Sequence, residues 1–132
     1  RLGFSKRTGS LLRPQKGYVP PPLEGLFLRY PYFHNNSIPN LCALMEREDR
    51  RPTFFIQGPS LNEETDYDKD CVGYPVGNKI PASWYQDKEA FYSTKRPGLS
   101  SKGHSKVFYT REGNPRFSSE ERSDLREFLK TL

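Results

Sequence analysis

A chain of 132 residues has the length of a single domain, but only 33% of it is hydrophobic and Ala occurs three times, against about 45–50% apolar content in ordinary globular domains. Twelve prolines run from Pro14 to Pro115. They exclude long helices and central strands almost everywhere, because proline lacks an amide donor and clashes with the preceding turn. The net charge of +5 is segregated: residues 1–16 and 95–111 each carry five cations and no acid, and residues 61–70 carry five acids and one lysine.

Residues 1–17 read as a basic flexible arm with Phe4, Leu11 and Leu12 as its apolar groups. Residues 18–60 form a Pro- and aromatic-rich anchor segment. Pro20-Pro21-Pro22 favours a stiff polyproline II stretch, and Leu26, Leu28 and Tyr30 alternate as in a short extended strand. Ile38, Leu41, Cys42 and Met45 fall on one helical face, which predicts a helix over about 38–50, ended by Pro52. Thr53–Gln57 is β-prone and is expected either to pair with Lys106–Thr110 or to dock on a partner.

Residues 61–90 are an acidic loop followed by a turn-rich segment. Asp66, Asp68 and Asp70 suggest calcium, but the sixth and twelfth positions of an EF-hand loop would be Cys71 and Gly77 rather than Gly and Glu. That reading fails. Trp84 is either a local core residue or an interface anchor, since Trp leads interface hot spots. In residues 91–117, the doublets Phe91-Tyr92 and Phe108-Tyr109 bracket Lys95, Arg96, Lys102 and Lys106 with no acid between them. This stretch reads as a docking segment for an acidic, grooved partner, with a long-looped β-hairpin as the alternative. Residues 118–132 carry the clearest helix signal. Ser118 and Glu121 match a capping box, and Leu125, Phe128, Leu129 and Leu132 form an apolar stripe, so a helix over about 119–131 is expected.

The fold expected is therefore a mostly irregular, extended chain with two short α-helices, at most short β segments and no large independent core. Such a chain borrows its interior from neighbours. It should show weak helix, little strand and no sharp thermal transition. The chemistry-bearing residues are few. His34 and His104 are the only histidines, and Cys42 and Cys71 stand 29 positions apart, which does not match zinc-ligand spacing. Two cysteines do not make a disulfide framework, so a reducing, intracellular setting is the simpler reading. Asn35-Asn36-Ser37 fits the N-glycosylation pattern. No apolar run approaches the roughly eighteen residues of a membrane-spanning helix. No catalytic, metal or cofactor site is expected, and the protein is read as non-enzymatic.

In style the chain resembles the small microtubule inner proteins of cilia and sperm flagella. The resemblance lies in Tyr18-Val19-Pro20-Pro21-Pro22, Gly73-Tyr74-Pro75, Phe91-Tyr92-Ser93-Thr94-Lys95-Arg96-Pro97 and the echo Phe108-Tyr109-Thr110-Arg111. It implies a structural component of axonemal doublets that binds tubulin or neighbouring filament proteins. The partner-binding residues would be Tyr18, Phe27, Tyr30, Phe54, Trp84, Tyr85, Phe91, Tyr92, Lys95, Arg96, Phe108, Tyr109, Leu125, Phe128 and Leu129. The alternatives are a basic RNA- or ribosome-associated structural protein and a small globular α+β domain. Co-sedimentation with microtubules against retention on RNA separates the first two, and cooperative melting selects the third.

Overall fold

The computed structural model describes residues 17–132; the basic arm and its apolar groups Phe4, Leu11 and Leu12 lie outside them. The described chain is mostly irregular. It holds two α-helices, α1 (Leu41–Leu44) and α2 (Ser119–Lys130), and a two-stranded antiparallel sheet of β1 (Phe54–Ile56) and β2 (Phe91–Ser93). Short 3-10 turns lie at Leu26–Leu28, Gly77–Lys79, Ala82–Gln86 and Ser105–Val107.

Helix α2 follows directly from its sequence. The Ser118 hydroxyl accepts from the Glu121 amide (3.1 Å) and the Glu121 carboxylate accepts from the Ser118 amide (2.7 Å). Two amides with no intrahelical partner are thereby satisfied. The first helix is shorter than predicted. Pro39 precedes it, Asn40 caps it by accepting from the Ala43 amide (2.9 Å), and the chain leaves helical geometry after Leu44. The cause lies with Arg51. Its guanidinium reaches back to the Leu44 and Glu46 carbonyls, at 3.3 and 3.2 Å, and so holds residues 45–51 in turns.

Two further expectations are corrected. Leu26–Leu28 form a 3-10 turn with a left-handed Gly25 before it, and the expected strand through Tyr30 is not formed. Phe54–Ile56 pairs with Phe91–Ser93 and not with Lys106–Thr110, with Phe55 opposite Tyr92 and Ile56 opposite Phe91. The Phe55 and Tyr92 rings then stack at 4.8 Å, a favourable cross-strand pair. The two aromatic doublets therefore do not form one hairpin; Tyr109 bridges locally to Pro115.

There is no large core among the described residues. Among the described residues, apolar side chains gather in three small clusters. Tyr32, Ile38, Leu41, Ala43 and Val72 form the first, Met45, Phe108 and Tyr109 the second, and Ile56, Ile80 and Trp84 the third. Leu129 of α2 touches the first two. The pieces are held together largely by polar ties from side chains to backbone.

One such tie is covalent. Cys42 and Cys71 form a disulfide, which replaces the reading of two thiols in a reducing setting. Sequence spacing gave no warning of it. The pairing is imposed by backbone hydrogen bonds on either side, from the Leu41 amide to the Cys71 carbonyl (2.7 Å) and from the Tyr74 amide to the Pro39 carbonyl (3.0 Å). Gly73 makes the close approach feasible: at φ 146° it lies where a Cβ would strike the Pro39 carbonyl.

Candidate functional site

The strongest candidate is an apolar groove of about 770 Å³ built from the Pro-rich segment, the loop Pro31–Asn36 and His104. That volume is within the range of ligand-binding clefts. Its lining includes Tyr18, Val19, Pro20, Pro21, Pro22, Leu23 and Leu26 together with Tyr32 and Phe33. Tyr18 and Val19 are about three-quarters exposed, at 75% and 72%. Such exposure of contiguous apolar groups marks a contact surface rather than a core.

Local ties fix the polar groups of the groove. Tyr32 donates its hydroxyl to the Val72 carbonyl (3.1 Å), and burial, with Tyr67 and Tyr30 nearby, pushes its pKa upward. Phe33 has a left-handed φ of 68° and contacts both the His104 ring (4.8 Å) and the Arg51 guanidinium (5.3 Å). Arg51 is itself buried, and burial lowers its pKa while Glu48 and Glu46 oppose that shift. It donates to the Ser101 and Gly103 carbonyls at 2.6 and 2.8 Å, so it anchors the loop that delivers His104. His34 stacks on Tyr18 with ring centroids 4.0 Å apart. Thus both histidines of the chain line one groove, although they are 70 positions apart in sequence. Arg29 also lines it, donating one hydrogen bond to the Pro22 carbonyl (2.6 Å). No Asp or Glu does so.

A second concavity, of about 780 Å³, lies along residues 64–70 with Lys79 and residues 81–83. Its two buried carboxylates are already engaged. Asp66 accepts from the Thr65 hydroxyl and from the Leu61 and Asn62 amides, and its pKa is lowered, chiefly by the Thr65 hydroxyl. Asp68 accepts from Lys79 (2.8 Å) and from the Asp70 and Cys71 amides. These carboxylates shape a loop. No cluster of metal-ligating side chains occurs among the described residues.

The residues singled out from sequence fall in several places. Tyr18 lies on the groove. Tyr30 is half-buried and packs on Tyr74 and Tyr67, at 4.8 and 5.4 Å. Trp84, Phe108 and Tyr109 are buried, at 5–8% exposure, inside this chain's own clusters. Phe91 and Tyr92 are half-buried in the sheet, and Leu125 and Leu129 half-buried on α2. Phe27, Phe54, Tyr85 and Phe128 are exposed, as are Lys95 and Arg96 in the turn after β2. These residues do not converge on one surface. Arg29, His34, Phe33, Arg51 and His104 were missed. The available signals were a lone cation inside an apolar run and a histidine in each of two polar loops. The glycosylation pattern is taken up by the fold: the Asn35 amide donates to the Gly98 and Ser100 carbonyls (3.1 and 3.0 Å), and Ser37 is fully buried.

Residues 17–56 match the family model described as RoxA-like, cytochrome c-like. The chain is also similar to two uncharacterized proteins of Sinorhizobium fredii (strain NBRC 101917 / NGR234). It is 32% identical to y4iJ over 117 residues, 87% of this chain and 18% of that protein. It is 31% identical to y4iM over 91 residues, 67% of this chain and 20% of that protein. The chain thus spans about a fifth of the length of these relatives. No solved structure matches.

These relatives are bacterial, and bacteria have no axonemal doublets. The resemblance to microtubule inner proteins is therefore set aside. With it go tubulin and axonemal partners, the ciliary or flagellar setting and the role of doublet stabiliser. What misled was composition: short aromatic and Pro-rich motifs suit any chain that lies along a larger body.

The cytochrome likeness raises the question of haem. Covalent attachment of the c type uses two cysteines and a histidine in the run C-x-x-C-H. That run does not occur in this sequence, and its only two cysteines are joined to each other. The residues present do not fit covalent attachment. What the groove does offer is a largely apolar wall lined by two histidines.

Proposed function

We propose that this chain is a non-enzymatic binding segment of a larger bacterial cytochrome c-like protein. Its groove would hold, against an apolar wall lined by His34 and His104, a haem anchored outside this chain, with His34 as the imidazole that would ligate it. The reading rests on one coincidence above the rest: the span that matches the cytochrome c-like model, residues 17–56, contains every residue lining the groove except His104. Haem iron carries one-electron redox chemistry when ligated by the protein, and the polarity and access of the pocket tune it. This chain's own residues hold, orient and exclude water. The ring of Tyr18 supports His34 by stacking, and the Arg51 tie keeps His104 and Phe33 at the groove.

The Cys42–Cys71 bond fits an oxidising compartment such as the bacterial periplasm, because cytosolic thiols are kept reduced. The proposed setting is therefore outside the cytoplasm. Titrating haemin into the purified chain and recording its absorption near the Soret band tests the reading. A shifted band is expected at about one haemin per chain, lost in His34→Ala and retained in His104→Ala. An unshifted haemin spectrum, or a shift that survives His34→Ala, refutes it.

A further inference from the structure

We propose that the loop of residues 95–106 is a docking surface for an anionic lipid bilayer, held at the headgroups chiefly by charge. It stands apart from the groove, and the assignment does not depend on what the groove holds.

Folding withdraws from this stretch the rings that could fill a partner's pockets. Phe108 and Tyr109 are buried, at 8% exposure each, in a cluster with Met45. Phe91 packs on Ile56, Ile80 and Trp84, and Tyr92 stacks on Phe55 at 4.8 Å. The cations between the doublets stay outside. Lys95, Arg96, Lys102 and Lys106 are all exposed, and none makes an ion pair among the described residues. None of them lines either concavity. Val107 is exposed beside Lys106. What the stretch offers a partner is therefore charge on an open surface.

The loop is also braced from behind. Arg51 donates to the Ser101 and Gly103 carbonyls, and the Asn35 amide to the Gly98 and Ser100 carbonyls. The Gly103 amide donates to the Glu48 carboxylate at 2.8 Å, which offsets part of the charge nearby. Ser101 is buried and Lys102 exposed, so the ties face inward and the cation outward. A loop already ordered gives up little conformational freedom on docking.

Side-chain chemistry selects the partner. Lysine is a hydrated point charge on a flexible stem, whereas recognition of one fixed carboxylate or phosphate favours the arginine fork. A tight protein interface would add buried aromatic anchors, and here those rings are kept inside. Spread point charges without a converging pocket suit a fluid field of headgroups. Each Lys or Arg near such a surface strengthens binding about five-fold.

Co-sedimentation of the whole chain with vesicles tests this, using phosphatidylcholine mixed with phosphatidylglycerol against phosphatidylcholine alone. Wild type is expected to bind only the mixed vesicles, and less as salt rises and screens the charges. The combined variant Lys95→Gln, Arg96→Gln, Lys102→Gln, Lys106→Gln should bind several hundred-fold more weakly, at about five-fold per cation. Lys6→Gln, Arg7→Gln, Arg13→Gln, Lys16→Gln removes the same charge from residues 1–16 and should lose less than about ten-fold. Equal losses in the two variants overturn the proposal, because net charge rather than this loop would then carry binding. Binding to the neutral vesicles as tight as to the mixed ones, or none to either, also overturns it. So does equally tight binding of soluble polyglutamate, which would assign the loop to an acidic protein. The comparison of vesicles on wild type needs no variant to fold.

Discussion

Breaking the Cys42–Cys71 bond, with dithiothreitol or by the double substitution Cys42→Ser, Cys71→Ser, releases a cross-link between residues 29 positions apart. In the chain-entropy treatment of disulfides, a closed loop of that size removes about 3.6 kcal/mol of conformational freedom from the unfolded state at 25 °C. The native backbone should change little. The Leu41 amide still reaches the Cys71 carbonyl (2.7 Å), and the Asn40 side chain still donates to the Tyr74 carbonyl (2.9 Å). The whole effect therefore appears in the unfolded ensemble. Because the chain encloses three small clusters of its own, a measurable melt is expected in place of the featureless one read from composition. For a chain of this length its midpoint falls by about 3–5 °C per kcal/mol, a drop of roughly 10–18 °C. Thermal melts followed by circular dichroism, with and without reductant, measure it, and the double variant controls for effects of the reductant itself. A reduced protein that melts within about 2 °C of the oxidised one would refute the reasoning, because a loop-entropy term of this size cannot be hidden. A native near-ultraviolet spectrum lost on reduction at low temperature would refute it differently, by showing that the bond shapes the folded state.

Three further outcomes are expected. Gly58→Ala places a methyl group against the indole ring of buried Trp84, so it should cost about 1–3 kcal/mol as an overpacked site; urea unfolding checks this, and an unchanged midpoint would show that Trp84 moves freely. Arg51→Lys keeps the charge but loses the fork that serves four carbonyls, and about 1.5–3 kcal/mol of stability should go with it; a loss below about 0.5 kcal/mol would show that the cage is ornamental. Asp66 has a lowered folded pKa, so its contribution is full above the unfolded value near 3.9 and is lost as pH falls through the folded one. Stability between pH 5 and 2 should therefore fall less steeply in Asp66→Asn than in wild type, as followed by urea midpoints; parallel slopes would remove Asp66 from the acid response.

Local rules governed what could be read from the chain alone. Proline spacing forbade long elements, and none is present among the described residues. Ser118 and Glu121 fixed the start of α2 because a capping box depends on residues three positions apart. The sparse apolar content matched a fold with no large core. Pairings between distant segments followed no local rule. Phe54–Ile56 is matched in the sequence to Lys106–Thr110 or to a partner, yet the fold joins it to Phe91–Ser93, since strand pairing is decided by what both faces can bury. Cys42 met Cys71 only because Gly73 lets two backbone segments touch. Arg51 looked like part of a solvated charged run, yet it became the buried hub that shortens α1 and carries a basic loop to the groove.

The candidate site divides along the same line. The apolar character of residues 18–33 and the lone Arg29 within them were plain in the sequence, as composition always is. That His34, Arg29 and His104 share one concavity was decided by the tertiary fold alone, through the Phe33 turn at positive φ and the Arg51 tie. Residue types determine what each segment can bury or bind, but a site is a distance between segments. In a chain with so little regular structure, that distance is set by single long-range hydrogen bonds and one disulfide, whose partners no local pattern announces.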